Sequence, residues 1–322
     1  MLGKLAGRGA SQEAATNYRR YHAMVGQSGG DRTIPNMRTN RDSQYTLVLG
    51  GGAHLGAMQA GQLLALCDAE IDVRRIIACS VGALNGAHMA RGMTRVNAET
   101  LVETWKKASS YEVFDRGWRR MTNIVTKKPG ISRNDVLREL AQKAAPTDRL
   151  EDFPIPTEIV TCNLTTGGAN YHKNGDAVSI IVASCSMPGI YPPVEIEGEQ
   201  HVDGGVLDVL PWRRAGEEPT IVLDCKTGRL NAPAISGDEG ALGILLTSFT
   251  LSRHHRIYDG ITEAANIKIC PGPQTRSGLT LRHGESLAQE AYDLTRQWVQ
   301  TGGLQTHGRR KWSLRRNRSG AR

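Results

Sequence analysis

Thr46-Leu47-Val48-Leu49 runs into Gly50-Gly51-Gly52-Ala53-His54-Leu55-Gly56, and Ile76-Ile77-Ala78-Cys79 runs into Ser80-Val81-Gly82-Ala83. In each stretch a short apolar run ends in small residues and a helical pattern follows, which predicts a strand delivering its last residue to a helix N-terminus. Two such units in succession point to an α/β protein. Ser80, on the second turn and followed by Gly82, is placed as in a nucleophile elbow, exposed at the strand's C-terminal end over free helix N–H groups. The glycine turn upstream offers a second set of free backbone N–H groups. Together the two turns read as a serine nucleophile and an oxyanion hole.

Behind the first turn, Ala57, Ala60, Leu63, Leu64 and Cys67 fall at helical spacing, while Gly56 and Gly61 keep that helix thin enough to lie close to the sheet. Behind Ser80, Ala83, Gly86, Ala87 and Ala90 present a small-residue face that lets the second helix sit tightly on the first. A dinucleotide fingerprint fails in both registers, because Leu55 or Ala53 stands where a glycine is required, and no Gly-Lys-Ser/Thr follows to make a phosphate loop. His88, two turns from the serine, reads as an ordinary partly buried histidine.

Further along, helical patterns cover residues 98–107, 176–185, 238–252 and 286–300, and another starts at Ser132 with Asp135 three residues on and stops at Pro146. Strands are predicted at 157–162, 220–223 and 266–270. Tyr191-Pro192-Pro193-Val194 is extended, 195–200 is a polar hairpin turn, and His201-Val202 leads into Asp203-Gly204-Gly205. That sequence puts a carboxylate on a tight turn with little steric cover, a suitable perch for a general base. His201, two residues earlier, is expected on the opposite side of the strand.

The net charge of +8 is uneven: seven basic residues and no acidic one lie in 304–322, so the body is nearly neutral. This divides the 322 residues into a polar N-terminal extension (1–44), a catalytic domain (45–302) and a basic C-terminal tail (303–322). The tail, with Trp312 and Leu314, suits an anionic membrane surface. So does the stretch 109–131, where Phe114, Trp118, Met121 and Ile124 alternate with Arg116, Arg119, Arg120 and Lys127. Three phenylalanines are too few for an aromatic nucleic-acid platform, and no specific nucleic acid is expected. The six cysteines form no CxxC pair and sit mostly in apolar runs, as reduced residues of an intracellular protein do. No run approaches the ~18 apolar residues that span a membrane. The expectation is a cytoplasmic protein that meets lipid peripherally.

These residues resemble the patatin-like phospholipase family of serine lipid acyl hydrolases. The family's glycine turn, Gly-x-Ser-x-Gly elbow and later Asp-Gly-Gly correspond to Gly51-Gly52-Ala53-His54-Leu55-Gly56, Ala78-Cys79-Ser80-Val81-Gly82 and Asp203-Gly204-Gly205, in the same order. The flanks match as well, at Met58-Gln59-Ala60-Gly61, Leu84-Asn85-Gly86, Ala183-Ser184-Cys185 and Tyr191-Pro192-Pro193. The resemblance implies a three-layer α/β/α fold with a central, mostly parallel sheet, and a Ser-Asp dyad without histidine; no EF-hand-like acidic loop appears in the sequence, and no metal or cofactor is expected. Ser80 would be the nucleophile and Asp203 its base, with the N–H groups of Gly51, Gly52 and Ala53 holding the oxyanion, and the substrate would be an ester of a membrane lipid. Ala53 and Ala78 stand where the family usually has glycine, Leu55 where many members carry Arg or Lys, and Val209 where Asn is frequent. At a position with positive φ, alanine is strained by about 1–2 kcal/mol.

Two other readings stay open on sequence alone. An α/β-hydrolase-type esterase would need a late histidine, for which His254, His255 and His283 are available. A catalytically degenerate protein would bind membrane or nucleic acid through the basic tail.

Overall fold

The computed structural model describes residues 44–110, 134–225, 244, 257, 259–273 and 284–304. The N-terminal extension, the apolar-basic stretch 109–131, the helix expected at 238–252 and the basic tail lie outside these residues wholly or in large part. Five strands make the parallel body of the sheet in the order β3-β2-β1-β7-β8: β1 (Tyr45–Leu49), β2 (Val73–Cys79), β3 (Thr157–Asn163), β7 (Thr220–Leu223) and β8 (Ile267–Ile269). Three antiparallel strands complete it: β4 (Gly168–His172), β5 (Val194–Ile196) and β6 (Glu199–Asp203). The mostly parallel sheet flanked by helices is the α/β architecture expected from the strand-turn-helix units.

The central strands are apolar without alternation because both faces are buried. Leu47, Leu49, Ile76, Ala78 and Ile159 face one core, and Val48, Ile77 and Val222 face the other. The first core is filled by α1 (Gly56–Asp68), α2 (Val81–Met89), α3 (Arg95–Ser110), α4 (Asp135–Ala144), α5 (Ala177–Cys185) and the edge of α6 (Gly284–Gln300). On the second face, Leu210, Ala215, Ile257 and Ile261 pack with Trp212. The α1–α6 contact is close enough to dictate composition. A methyl group on Gly61 would fall 1.9 Å from the Ala288 carbonyl oxygen.

One feature of the ladder positions the candidate site. Along one edge of β3, Thr157 to Val160 pair with β2, and Thr161 to Asn163 pair with β6, while β4 takes the other edge. Because β2 runs parallel to β3 and β6 antiparallel, the C-terminal ends of β2 and β6 meet head-on at the step from Val160 to Thr161. The residue after β2 is Ser80, and the last residue of β6 is Asp203.

Three local readings change. Thr165-Thr166-Gly167 turns the chain into β4, which is not among the strands expected from the sequence pattern. α4 begins at Asp135 after Asn134, whose side chain makes no capping bond, and Ser132 lies outside the described residues. His201 pairs with Asn163 and Asp203 with Thr161, so the two are on one face of β6, as residues two apart must be, and not on opposite faces.

At the N-terminal ends of the parallel strands, away from Ser80, lies an ion network invisible in the sequence. Arg75 Nε donates to Glu218 at 2.8 Å, Arg214 Nη2 donates to buried Glu158 at 2.5 Å, and Thr46 Oγ1 donates to Glu218. It ties β1, β2, β3 and the segment before β7 together at the end where no chemistry is expected.

Gly61→Ala should lower stability by about 1–3 kcal/mol, since the added methyl meets backbone and the two helices must part. A shift of the urea midpoint at unchanged slope measures it.

Candidate active site

Ser80 sits between β2 and α2 at φ 56° and ψ −128°, a backbone conformation that an L-residue adopts only under strain of order 1–3 kcal/mol. Several contacts hold it there. Its N–H donates to Ser184 Oγ at 2.9 Å, and that hydroxyl donates to the Val160 carbonyl at 2.7 Å. Its carbonyl accepts the Ala83 N–H at 2.7 Å and the Cys185 thiol at 3.1 Å. Close packing requires the glycine two residues on, because a methyl on Gly82 would lie 2.3 Å from the Leu49 carbonyl oxygen. The turn therefore presents its hydroxyl from a fixed frame.

Ser80 Oγ donates to Asp203 Oδ2 at 2.6 Å. The other carboxylate oxygen, Oδ1, accepts the Gly205 N–H at 2.7 Å, and the Asp203 N–H donates to the Ser186 carbonyl at 2.9 Å. Gly204 and Gly205 form the 3₁₀ turn that follows, so the carboxylate is aimed by the turn beneath it. Ser80 is 8% exposed and Asp203 5%, which shelters their hydrogen bond from water. Buried Cys185, beside both, is no rival nucleophile. Burial, reinforced by the Asp203 carboxylate, pushes its thiol up and keeps it protonated.

The glycine turn lies across from the serine. A methyl on Gly51 would come 3.0 Å from Ser80 Cβ and 2.8 Å from Val209 Cγ2. The Gly51 N–H is already committed, donating to the Val209 carbonyl at 2.8 Å, which joins the glycine turn to the segment after Asp203. Among the described residues, nothing accepts from the N–H groups of Gly52 or Ala53. Gly56 closes the turn, packed so tightly that a methyl there would meet Val81 at 2.3 Å and Trp105 at 2.5 Å. The two alanine departures differ. Ala78 is a fully buried strand residue opposite Leu49, with no positive φ, whereas Ala53 has φ 51°. Only Ala53 carries the strain that glycine would avoid.

Of the histidines, His172 Nε2 and His201 Nδ1 both meet Thr161 Oγ1, at 2.7 and 2.9 Å, with their rings 5.4 Å apart. Burial, and then His201, lowers His172 to about 4, burial lowers His201 as well, and the pair is held by Thr161 rather than by Ser80. His88 is half-buried with Nε2 on the Asn97 carbonyl at 2.9 Å, and burial lowers its pKa too. His254, His255 and His283 lie outside the described residues.

The sequence profile of the patatin-like phospholipases matches residues 47–215, more than half of the chain. The chain belongs to the patatin-like phospholipase family. The matched stretch contains Gly51, Gly52, Ala53, Gly56, Ala78, Ser80, Gly82, Asp203, Gly204 and Gly205. Lysophospholipase NTE1 of Cryptococcus neoformans var. neoformans serotype D is 30% identical over 200 residues, which are 61% of this chain and 12% of that protein. An uncharacterized NTE family protein of Mycobacterium tuberculosis is 27% identical over 175 residues, 54% of this chain and 46% of its own length. This patatin-like chain thus spans less than half the length of either relative. Among solved structures, VipD from Legionella pneumophila covers 87% of this chain and 73% of its own at 13% identity and a TM-score of 0.44. ExoU of Pseudomonas aeruginosa, in complex with SpcU, covers 81% and 52% at 14% identity and a TM-score of 0.41.

Replacing Ala53 by glycine should raise stability by about 1 kcal/mol, since relief of a left-handed alanine exceeds the extra chain entropy of glycine. Equilibrium denaturation of Ala53→Gly against wild type checks this. A loss of stability would mean that Ala53 is not held at positive φ.

Proposed function

We propose that the protein is a serine acyl hydrolase that cleaves carboxylic ester bonds of membrane lipids, with residues 45–302 as its catalytic domain. The observation that carries this reading is the 2.6 Å hydrogen bond from Ser80 Oγ to Asp203 Oδ2 on a strained elbow opposite a turn with two free N–H groups. A serine hydroxyl is a poor nucleophile until a positioned base accepts its proton. Asp203 is that base. As its Oδ2 takes the proton, Oγ bonds to the ester carbonyl carbon and negative charge moves to the carbonyl oxygen. The N–H groups of Gly52 and Ala53 receive that charge, while Gly51, its own N–H spent on Val209, fixes the turn. Collapse breaks the bond to the leaving alcohol, which takes the proton from Asp203. Water then gives a proton to the same carboxylate as it attacks the acyl-enzyme carbonyl, and collapse breaks the bond to Ser80 Oγ, which takes that proton back from Asp203 as the fatty acid leaves.

The family and the lysophospholipase relatives support a glycerophospholipid or its lyso form as substrate. No helix among the described residues is long and apolar enough to cross a membrane. On this reading the enzyme works from the cytoplasmic side at the membrane surface, with the stretch 109–131 and the basic tail as its lipid contacts.

Wild type should hydrolyse a medium-chain p-nitrophenyl ester and lysophosphatidylcholine. Ser80→Ala and Asp203→Asn should each lower kcat/KM by about 10³-fold or more. Alanine at His254, His255 or His283 should leave turnover within about threefold, and loss of turnover at any of the three would instead place a late histidine in the mechanism.

A further inference from the structure

The glycine turn is gripped at both ends by a buried chain of side-chain amides. Trp105 Nε1, on α3, donates to Asn85 Oδ1 at 2.9 Å. Asn85 Nδ2, on α2, donates to the Gly56 carbonyl at 3.0 Å and to Gln59 Oε1 at 2.9 Å. Gln59 Nε2, on α1, donates to the Gly50 carbonyl at 2.8 Å and to the Leu223 carbonyl, at the end of β7, at 3.0 Å. Gln59 is fully buried, Asn85 1% exposed and Trp105 7%. Both protons of each amide are used, and so is each amide oxygen.

These donors and acceptors allow one orientation of each amide. An indole N–H is only a donor, so Asn85 must present oxygen to Trp105 and its NH₂ to Gly56 and Gln59. Gln59 must then present oxygen to Asn85 and its NH₂ to Gly50 and Leu223. The two carbonyls held on the turn belong to Gly50 and Gly56, the residues that bracket 51–55. The peptide joining Gly50 to Gly51 is fixed on both sides, its C=O by Gln59 and its N–H by Val209. Between these anchors lie the free N–H groups of Gly52 and Ala53.

We propose that Gln59, Asn85 and Trp105 are positioning residues that hold the glycine turn so that the Gly52 and Ala53 N–H groups face the developing oxyanion. The inference rests on the proposed hydrolase reading. A network that served stability alone would change how much protein is folded, not how fast each folded site turns over. Oxyanion donors act only in the transition state, so their misalignment lowers kcat and spares KM.

The test measures kcat and KM per active site, counted by labelling with an alkyl fluorophosphonate to completion, for Gln59→Met, Trp105→Phe, the double variant and Gln62→Met. Gln62 is a fully buried glutamine on the same helix whose amide donates to the Pro271 carbonyl and does not touch the turn. Gln59→Met should lose roughly 10- to 100-fold in kcat with KM within about threefold, below the cost of deleting a donor outright. Trp105→Phe keeps a ring against Gly56, should lose about 3- to 10-fold, and carries the test if Gln59→Met does not fold. The double variant should be no slower than Gln59→Met, because both break one chain. Gln62→Met should match wild type per site. Wild-type kcat per site in Gln59→Met and Trp105→Phe, or losses that simply multiply in the double variant, would overturn the inference while Ser80→Ala stays inactive. Turnover surviving in Ser80→Ala would remove the hydrolase reading itself.

Discussion

The arrangement depends on a single step in one strand. At Val160 to Thr161, β3 exchanges its parallel partner β2 for its antiparallel partner β6, and two chain segments 123 residues apart in sequence arrive end to end. Ser80 and Asp203 face each other because the strands carrying them stop at the same rung from opposite directions. The carbonyl of Val160 marks the join by accepting the Ser184 hydroxyl, which in turn receives the Ser80 N–H. The ladder thus delivers a hydroxyl and a carboxylate to 2.6 Å with no loop of uncertain length between them.

Strain at the join is tolerated because its surroundings leave no alternative. Ser80 and Ala53 both have positive φ, each at a cost of order 1–3 kcal/mol for an L-residue. Around them stand the hydrogen bonds of Ser184, Cys185 and Val209 and backbone contacts at which even a methyl group has no room, as at Gly82 against Leu49. Such sites persist only when over-determined by the rest of the fold. The ion network of Glu158, Glu218, Arg75 and Arg214 holds the far end of the same strands, so the sheet is fixed at both ends and the chemistry is proposed at one.

Much of this is legible in residues read one after another. The strand-turn-helix units around Gly51 and Ser80, the buried helix capped by Asp176, and the hairpin ending at Asp203 all follow from local pattern. What the pattern could not carry is partnership. That β6 continues the edge begun by β2, that Gly51 spends its N–H on Val209, and that β4 pairs at all are consequences of long-range pairing. Ala53 and Ala78 look alike in sequence as replacements of glycine. Only their backbone angles separate a strained turn residue from a relaxed strand residue. Gln59 and Asn85, which the sequence marks only as part of flanks that match the family, gain their role from the carbonyls they reach.

The most direct measurement is the site and rate of modification by an alkyl fluorophosphonate, read by peptide mass. Attack forms the Oγ–P bond and expels fluoride as the hydroxyl proton passes to the base. One adduct is expected, on Ser80, whose formation slows by orders of magnitude in Asp203→Asn although the serine and the glycine turn are intact. An adduct on another residue, or labelling of Ser80 at an undiminished rate without the Asp203 carboxylate, would contradict it.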